Sequence, residues 1–172
     1  MAAALAVGAD VYASASQKFR QIESDKLRAG TRLTLTPREI EAWVSREAPS
    51  GVRNPRLELQ SGVAKGNALI DFGKVRRAQG YQPGWLMSKL LDGERPVAVT
   101  ARIRSGGGKA TVDVQSVEVS GLTIDGKTLD FLIQNFLLAM YPDAVVGRPF
   151  ELGHRIDRLE IQPGSVGVVI GK

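Results

Sequence analysis

"VAVTARIRSGGGKATVDVQSVEV" (residues 97–119) alternates apolar and polar residues on both sides of a glycine run. Val97, Val99, Ala101 and Ile103 share one face at a period of two, and Val112 and Val114 continue an apolar face on the return. With Ser105-Gly-Gly-Gly108 as the turn, the stretch reads as an antiparallel hairpin with one dry face and one wet one. The return strand then changes phase, because its next apolar residues are Val117 and Val119. One extra residue absorbs such a change, so a β-bulge is expected at Gln115-Ser116. "SGGGK" (105–109) is not a phosphate loop: it lacks the P-loop spacing and joins two strands, where a phosphate loop opens a helix.

Two more hairpins flank this one. In "RLELQSGVAKGNALIDF" (56–72), Leu57 and Leu59 alternate with polar residues, Ser61-Gly62 turns, and Ala64, Ala68, Ile70 and Phe72 alternate again. "HRIDRLEIQPGSVGVVIGK" (154–172) closes the chain, turning at Gln162-Pro163-Gly164-Ser165. There Pro then Gly suits a type II turn, because Gly accepts a positive φ.

Helices separate the hairpins. Residues 12–28 place Tyr12, Ala15, Phe19 and Ile22 at helical spacing, ending at Gly30, and "TRLTL" (31–35) follows as a short strand. Thr36, Pro37 and Glu39 then form a capping box that opens a helix with Ile40, Trp43 and Val44 as its apolar stripe. A short helix is expected over 83–91, and Leu122–Ile124 is a short strand with Asp125 as a cap. From 128 to 141, Leu129, Leu132, Ile133, Phe136, Leu137 and Met140 hold the helical stripe, and Phe131 and Leu138 widen it beyond one face. A helix so apolar must be covered on most sides. The fold class is therefore α+β: a curved antiparallel sheet of hairpins wrapped around that long apolar helix, in a single domain over 30–172 after an N-terminal segment, 1–29.

A phrase recurs. "RLELQSG" (56–62) and "RLEIQPG" (158–164) nearly match, and each follows a strand–cap–helix unit, "LTLTPREIEAWV" (33–44) and "LTIDGKTLDFLI" (122–133). Either an internal duplication or the shared constraints of hairpins and glycine turns accounts for the echo.

The chain has no cysteine and one histidine, which excludes disulfides, thiolate metal sites and His-cluster metal sites. His154 with Asp157 is the one acid–base pair to weigh. On a strand, positions three apart face opposite ways, and no nucleophile elbow accompanies them, so no enzyme is expected and no cofactor. The net charge of +5 favours anionic surfaces. The basic residues are spread along the chain with acids between them and match no nucleic-acid-binding module. Only "KVRRAQGY" (74–81) is compact. Arg76 and Arg77 there precede Tyr81, Trp85, Leu86 and Met87, a pattern that suits peripheral contact with an anionic membrane; a linker helix plugging the core is the other reading. "MAAALAVGADVYASASQ" (1–17) carries two A-x-A-like sites, "VYA" and "ASA". It reads either as the tail of an export signal, giving a periplasmic or cell-envelope location, or as an alanine-rich helix start.

The order "LTLTPREIEAWV", "NPRLELQSGVAKGNALIDF", "VAVTARIRSGGGKATVDVQSVEVSGLTI", apolar helix and "DRLEIQPGSVGVVIG" resembles the LmeA-type and YpmS-type cell-envelope proteins, relatives of the tubular lipid-binding (TULIP) superfamily. The resemblance covers about residues 30–172. It implies a phospholipid or other apolar small molecule held between sheet and helix. Trp43, Trp85, Leu86, Met87, Leu132, Phe136 and Met140 would then line the cleft, and Arg76 and Arg77 would meet the headgroup. The competing expectation is a structural or interaction domain of the cell envelope whose same apolar residues simply pack together.

Overall fold

The computed structural model describes residues 2–48, 50–77, 92–134 and 146–172, with side chains from Asp10 onward in the first helix and up to Lys74 in the third. The elements are α1 (Ala2–Glu23), β1 (Arg32–Leu35), α2 (Pro37–Glu47), β2 (Val52–Gln60), β3 (Val63–Asp71), α3 (Phe72–Arg77), β4 (Glu94–Gly106), β5 (Lys109–Val119), β6 (Leu122–Ile124), α4 (Gly126–Leu132), β7 (Phe150–Glu151), β8 (Ile156–Gln162) and β9 (Ser165–Ile170). All strand pairs are antiparallel, and the class is α+β.

The strands divide between two sheets, where one was expected. The small sheet has the order β1-β9-β8; the large one runs β2-β3-β4-β5-β6, with β7 on β5. The split arises because β8 does not pair along a strand of the large sheet. It lies across the tips of two hairpins instead. The Ser105 hydroxyl donates to the Leu159 carbonyl at 2.9 Å and accepts from the Leu159 N–H at 2.7 Å, standing in for a ladder step. Gly108 N–H donates to the Asp157 carbonyl, and Gly62 N–H to the Ile161 carbonyl. So the turn of the first "RLEx-Q" phrase is bonded to the strand that carries the second.

Three glycines make these approaches possible. Gly107 and Gly108 both hold positive φ, the geometry of a tight hairpin turn, and Gly62 at φ 71° does the same on its own hairpin. The glycine run thus serves as a docking turn.

The expected bulge is present. Thr100 pairs with Ser116 but Ala101 pairs with Val114, which leaves Gln115 as the extra residue. A second bulge was not expected: Arg53 pairs with Leu69 and Arg56 with Asn67, so Asn54 and Pro55 together face Ala68. Asn54 takes a left-handed φ of 53°, and Pro55 lacks the N–H that a regular ladder would need. β2 accordingly begins at Val52, ahead of Arg56.

The first helix differs at both ends from the span 12–28. It starts by Ala2, consistent with the helix propensity of alanine, and stops at Glu23, where Asp25 turns left-handed and its N–H reaches the Ile22 carbonyl. "VYA" and "ASA" both lie inside it, and Ala15 is fully buried at 0 % exposure. α4 begins at Gly126, ahead of Thr128, with Asp125 at its cap position but without a side-chain capping bond. The short helix over 83–91 and the helix beyond Gln134 lie outside the described residues.

Two apolar clusters form. Ile22, Leu35, Val168 and Ile170 join α1 to the small sheet, with Phe19, Leu33, Ile40 and Leu159 around them. Phe72, Val97, Val117, Val119, Ile124 and Leu132 join the large sheet to α4.

Candidate functional site

The large sheet has one apolar face, and its register shows how that face is assembled. Leu57, Gly66, Val99, Val117 and Ile124 line up across five strands, and Ala68, Val97 and Val119 form the next row. The Gln115 bulge is essential to this. Without it Val114 and Val117 would point to opposite faces; with it both join the same side. The second strand of this face, β3, presents small residues, Ala64, Gly66 and Ala68, between the larger Leu57 and Leu59 on β2 and the valines of β4. A Cβ built on Gly66 meets nothing within 4 Å. The face is therefore a trough with its floor along β3.

Two helices lie over the trough. α4 covers the β5 side, where the described residues that line a space of about 200 Å³ are all apolar, including Leu129, Leu132 and Ile133 after the start of the helix and Val99, Val114 and Val117 from the sheet. α2 covers the β2 side, where a space of about 280 Å³ is lined by Ile40 and Val44 of the helix, Leu57, Gly66 and Ala68 of the sheet, and by Glu41 and Arg56. Ile70, Val97 and Val99 line both spaces, so the two adjoin along the sheet. Val52, Ile70, Val99, Val114 and Leu129 remain half-buried against the core behind them. Phe72 is buried where β3 passes into α3, and Asp71 starts that helix by accepting the Lys74 N–H at 3.0 Å.

α2 is held over the trough by polar contacts. Thr36 and Glu39 complete the capping box read from the sequence. Glu39 is 5 % exposed and also accepts from the Ser14 hydroxyl at 2.8 Å and the Lys18 ammonium at 3.0 Å, both on α1. Burial pushes its carboxyl up, but the Lys18, Ser14 and Thr36 hydrogen bonds and the Lys18 charge outweigh burial and hold it below its ordinary value. At the other edge of α2, Glu41 accepts the Leu57 N–H at 2.8 Å, which caps the outer edge of β2, and Arg56 lies 3.9 Å from the same carboxylate.

The site residues expected from the sequence fall into three groups. Leu132 is buried and lines the space under α4. Trp43 is half-buried and packs its ring on Phe19 with centroids 4.4 Å apart, at the contact of α1 and α2 rather than in either space. Trp85, Leu86, Met87, Phe136 and Met140 lie outside the described residues, as do the side chains of Arg76 and Arg77, whose backbone ends α3. The lining residues that the sequence reading did not assign to the site include Ile40, Val44, Leu129 and Ile133 on the helices and the strand residues Ile70, Val97, Val99, Val114 and Val117. The period-two pattern of the strands identified the dry face but not that it stays partly unfilled.

His154 precedes β8 in a left-handed turn, φ 46°, and its Nδ1 lies 3.2 Å from Asp25 Oδ1. Asp157 instead accepts from Arg158 at 3.0 Å, so the weighed His154–Asp157 pair does not form. Among the described residues no cluster of three or more His, Asp or Glu side chains is placed to hold a metal ion, and no helix is long and apolar enough to cross a membrane. Comparison with protein-family models, with curated proteins and with solved structures finds no match to this chain.

Proposed function

We propose that this is a non-enzymatic cell-envelope protein that binds a phospholipid or another apolar ligand between its large sheet and the helices over it. The observation that carries the reading is the trough. Two adjoining spaces share Ile70, Val97 and Val99, and Ile70, Val99, Val114 and Leu129 on their walls stay half-buried. Apolar surface left out of contact forfeits stabilisation, and an acyl chain laid there recovers it at about 0.8 kcal/mol per buried methylene. In this reading the large sheet curls around the helix expected over 128–141, as the LmeA-type resemblance implies, and Leu129 and Leu132 are its first turns against the sheet. Export, and contact of the segment 74–91 with an anionic membrane, belong to the same proposal.

Native mass spectrometry of gently purified protein tests it, paired with a liposome-to-liposome lipid transfer assay. A bound lipid, or transfer above background, is expected. Protein that carries no lipid and transfers none overturns the reading in favour of an envelope domain with a packed core and no ligand. The observation on that second side is that Val119, 1 % exposed, and Phe72 are tightly buried although both line the space under α4.

A further inference from the structure

The two ends of the trough differ in chemistry. Under α4 every described lining residue is apolar. Under α2 the lining includes Arg56 and Glu41 at the edge of β2. The Arg56 side chain is 75 % exposed, and among the described residues its ion-pair contact is the 3.9 Å approach to Glu41. The Glu41 carboxylate is only 17 % exposed and already accepts the Leu57 N–H. A guanidinium carries five N–H donors in a planar fork, so Arg56 retains donors for an incoming oxyanion, whereas Glu41 is turned inward onto the strand edge.

We propose that the ligand is a single-chain anionic amphiphile bound in one direction, with its carboxylate or phosphate on Arg56 at the α2 end and its tail running along the sheet to the space under α4. This rests on the lipid-binding reading and specifies it. The shape of the trough suits one chain: the two spaces share Ile70, Val97 and Val99 and so form one run along the sheet rather than two parallel slots. The direction follows from solvation. Among the described residues none that lines the space under α4 offers a charged head a polar partner, and at Arg56 the head keeps both a cation and water.

The test uses the full chain and four probes of one tetradecanoyl chain length: the fatty acid, the lysophosphatidic acid, the lysophosphatidylcholine and the neutral monoacylglycerol. Affinities are measured by calorimetry below the micelle threshold. The free acid and the phosphate monoester are expected to bind about tenfold or more tighter than the other two, and whichever of them is tighter identifies the head. Arg56→Gln removes this preference and leaves the longest accepted chain unchanged. Val114→Phe does the converse: it shortens the longest accepted chain and keeps the head preference. Leu129→Phe repeats that test from the helix side, and each variant is first matched to the wild type by circular dichroism. Equal binding of anionic and neutral probes, or an Arg56→Gln protein that keeps the preference, overturns the orientation while lipid binding stands. No binding of any probe overturns the single-chain assignment, and the lipid-binding reading falls with it only if native mass spectrometry and lipid transfer are also negative.

Discussion

Around the small sheet, Leu35, Val168 and Ile170 are all buried, and Ile22 of α1 packs directly on them. On the large sheet Ile70, Val99 and Val114 face the same way as the buried Val97 and Val117 yet stay half-buried. Both faces are built from hairpins that carry nearly the same phrase, so the phrase does not set the outcome. The size of the neighbours does. β9 reads Val-Gly-Val-Val-Ile over 166–170, which fills its side of the small sheet, whereas β3 offers Ala64, Gly66 and Ala68 to the helices above it. One half of the molecule is closed by complementary side chains, and the other leaves room. The largest effect is therefore expected in the closed half. Ile170→Ala, at 2 % exposure, should cost about 2–5 kcal/mol in urea unfolding, and Val99→Ala on the trough about 1 kcal/mol or less. Equal losses would end the distinction.

Next in size is the polar clamp that sets α2 over the trough. Glu39→Ala removes half of a capping box and leaves Lys18 and Ser14 without their buried partner, for an expected loss of about 2–3 kcal/mol. Acid has the same target. The folded-state carboxyl titrates below its ordinary value of 4.5, so the unfolded chain takes up the proton more readily than the folded one. The contribution of Glu39 is complete above that ordinary value and is lost as pH falls through the lower, folded one. The stability gap between the wild type and Glu39→Gln should therefore narrow in unfolding titrations taken from neutral pH to below pH 4.5. A gap that holds steady across that range would mean that the charge on Glu39 is not what secures α2.

Much of this was readable before any coordinates. The three hairpins, the Thr36–Glu39 capping box and the bulge at Gln115 each follow from local periodicity, which a strand or helix terminus imposes within a few residues. The division into two sheets does not. It depends on β1 pairing with β9 from opposite ends of the chain and on a side chain, Ser105, replacing a ladder bond, and neither leaves a periodic trace. Of the site, Leu132 was visible because the helix stripe was too wide. Trp43 was placed on the right helix, but one helix's pattern does not say which neighbour a residue meets, and it meets Phe19.

A smaller loss is expected where the chain ends are tied together. Arg155 donates to the carbonyls of Asp25, Leu27 and Gly171, linking the exit of α1 to the start of β8 and the residue after β9. Arg155→Ala should cost about 1–2 kcal/mol, less than three full hydrogen bonds, because solvent reaches the freed carbonyls. Hydrogen exchange should then rise at Gly30, whose N–H donates to the Ile170 carbonyl, and at Ile170, whose N–H donates to the Thr31 carbonyl. Exchange unchanged at those two amides would show that the strands alone hold the ends.

The smallest effect carries the opposite sign and bears most directly on the trough. Gly66 lies mid-strand, outside the left-handed region, and no atom lies within 4 Å of an added Cβ. Gly66→Val replaces the least strand-favouring side chain with a β-branched one over open space, so it should stabilise by about 0.5–1 kcal/mol. The same substitution at a filled position would overpack and destabilise by 1–3 kcal/mol, as estimated for crowded cores. The sign of the change thus reports whether the floor of the trough is empty in solution. A gain in melting temperature together with a weakened hold on an acyl chain means that the added methyls occupy the ligand's space. A loss of stability means that helix side chains already fill it, and the two apolar faces are then finished alike.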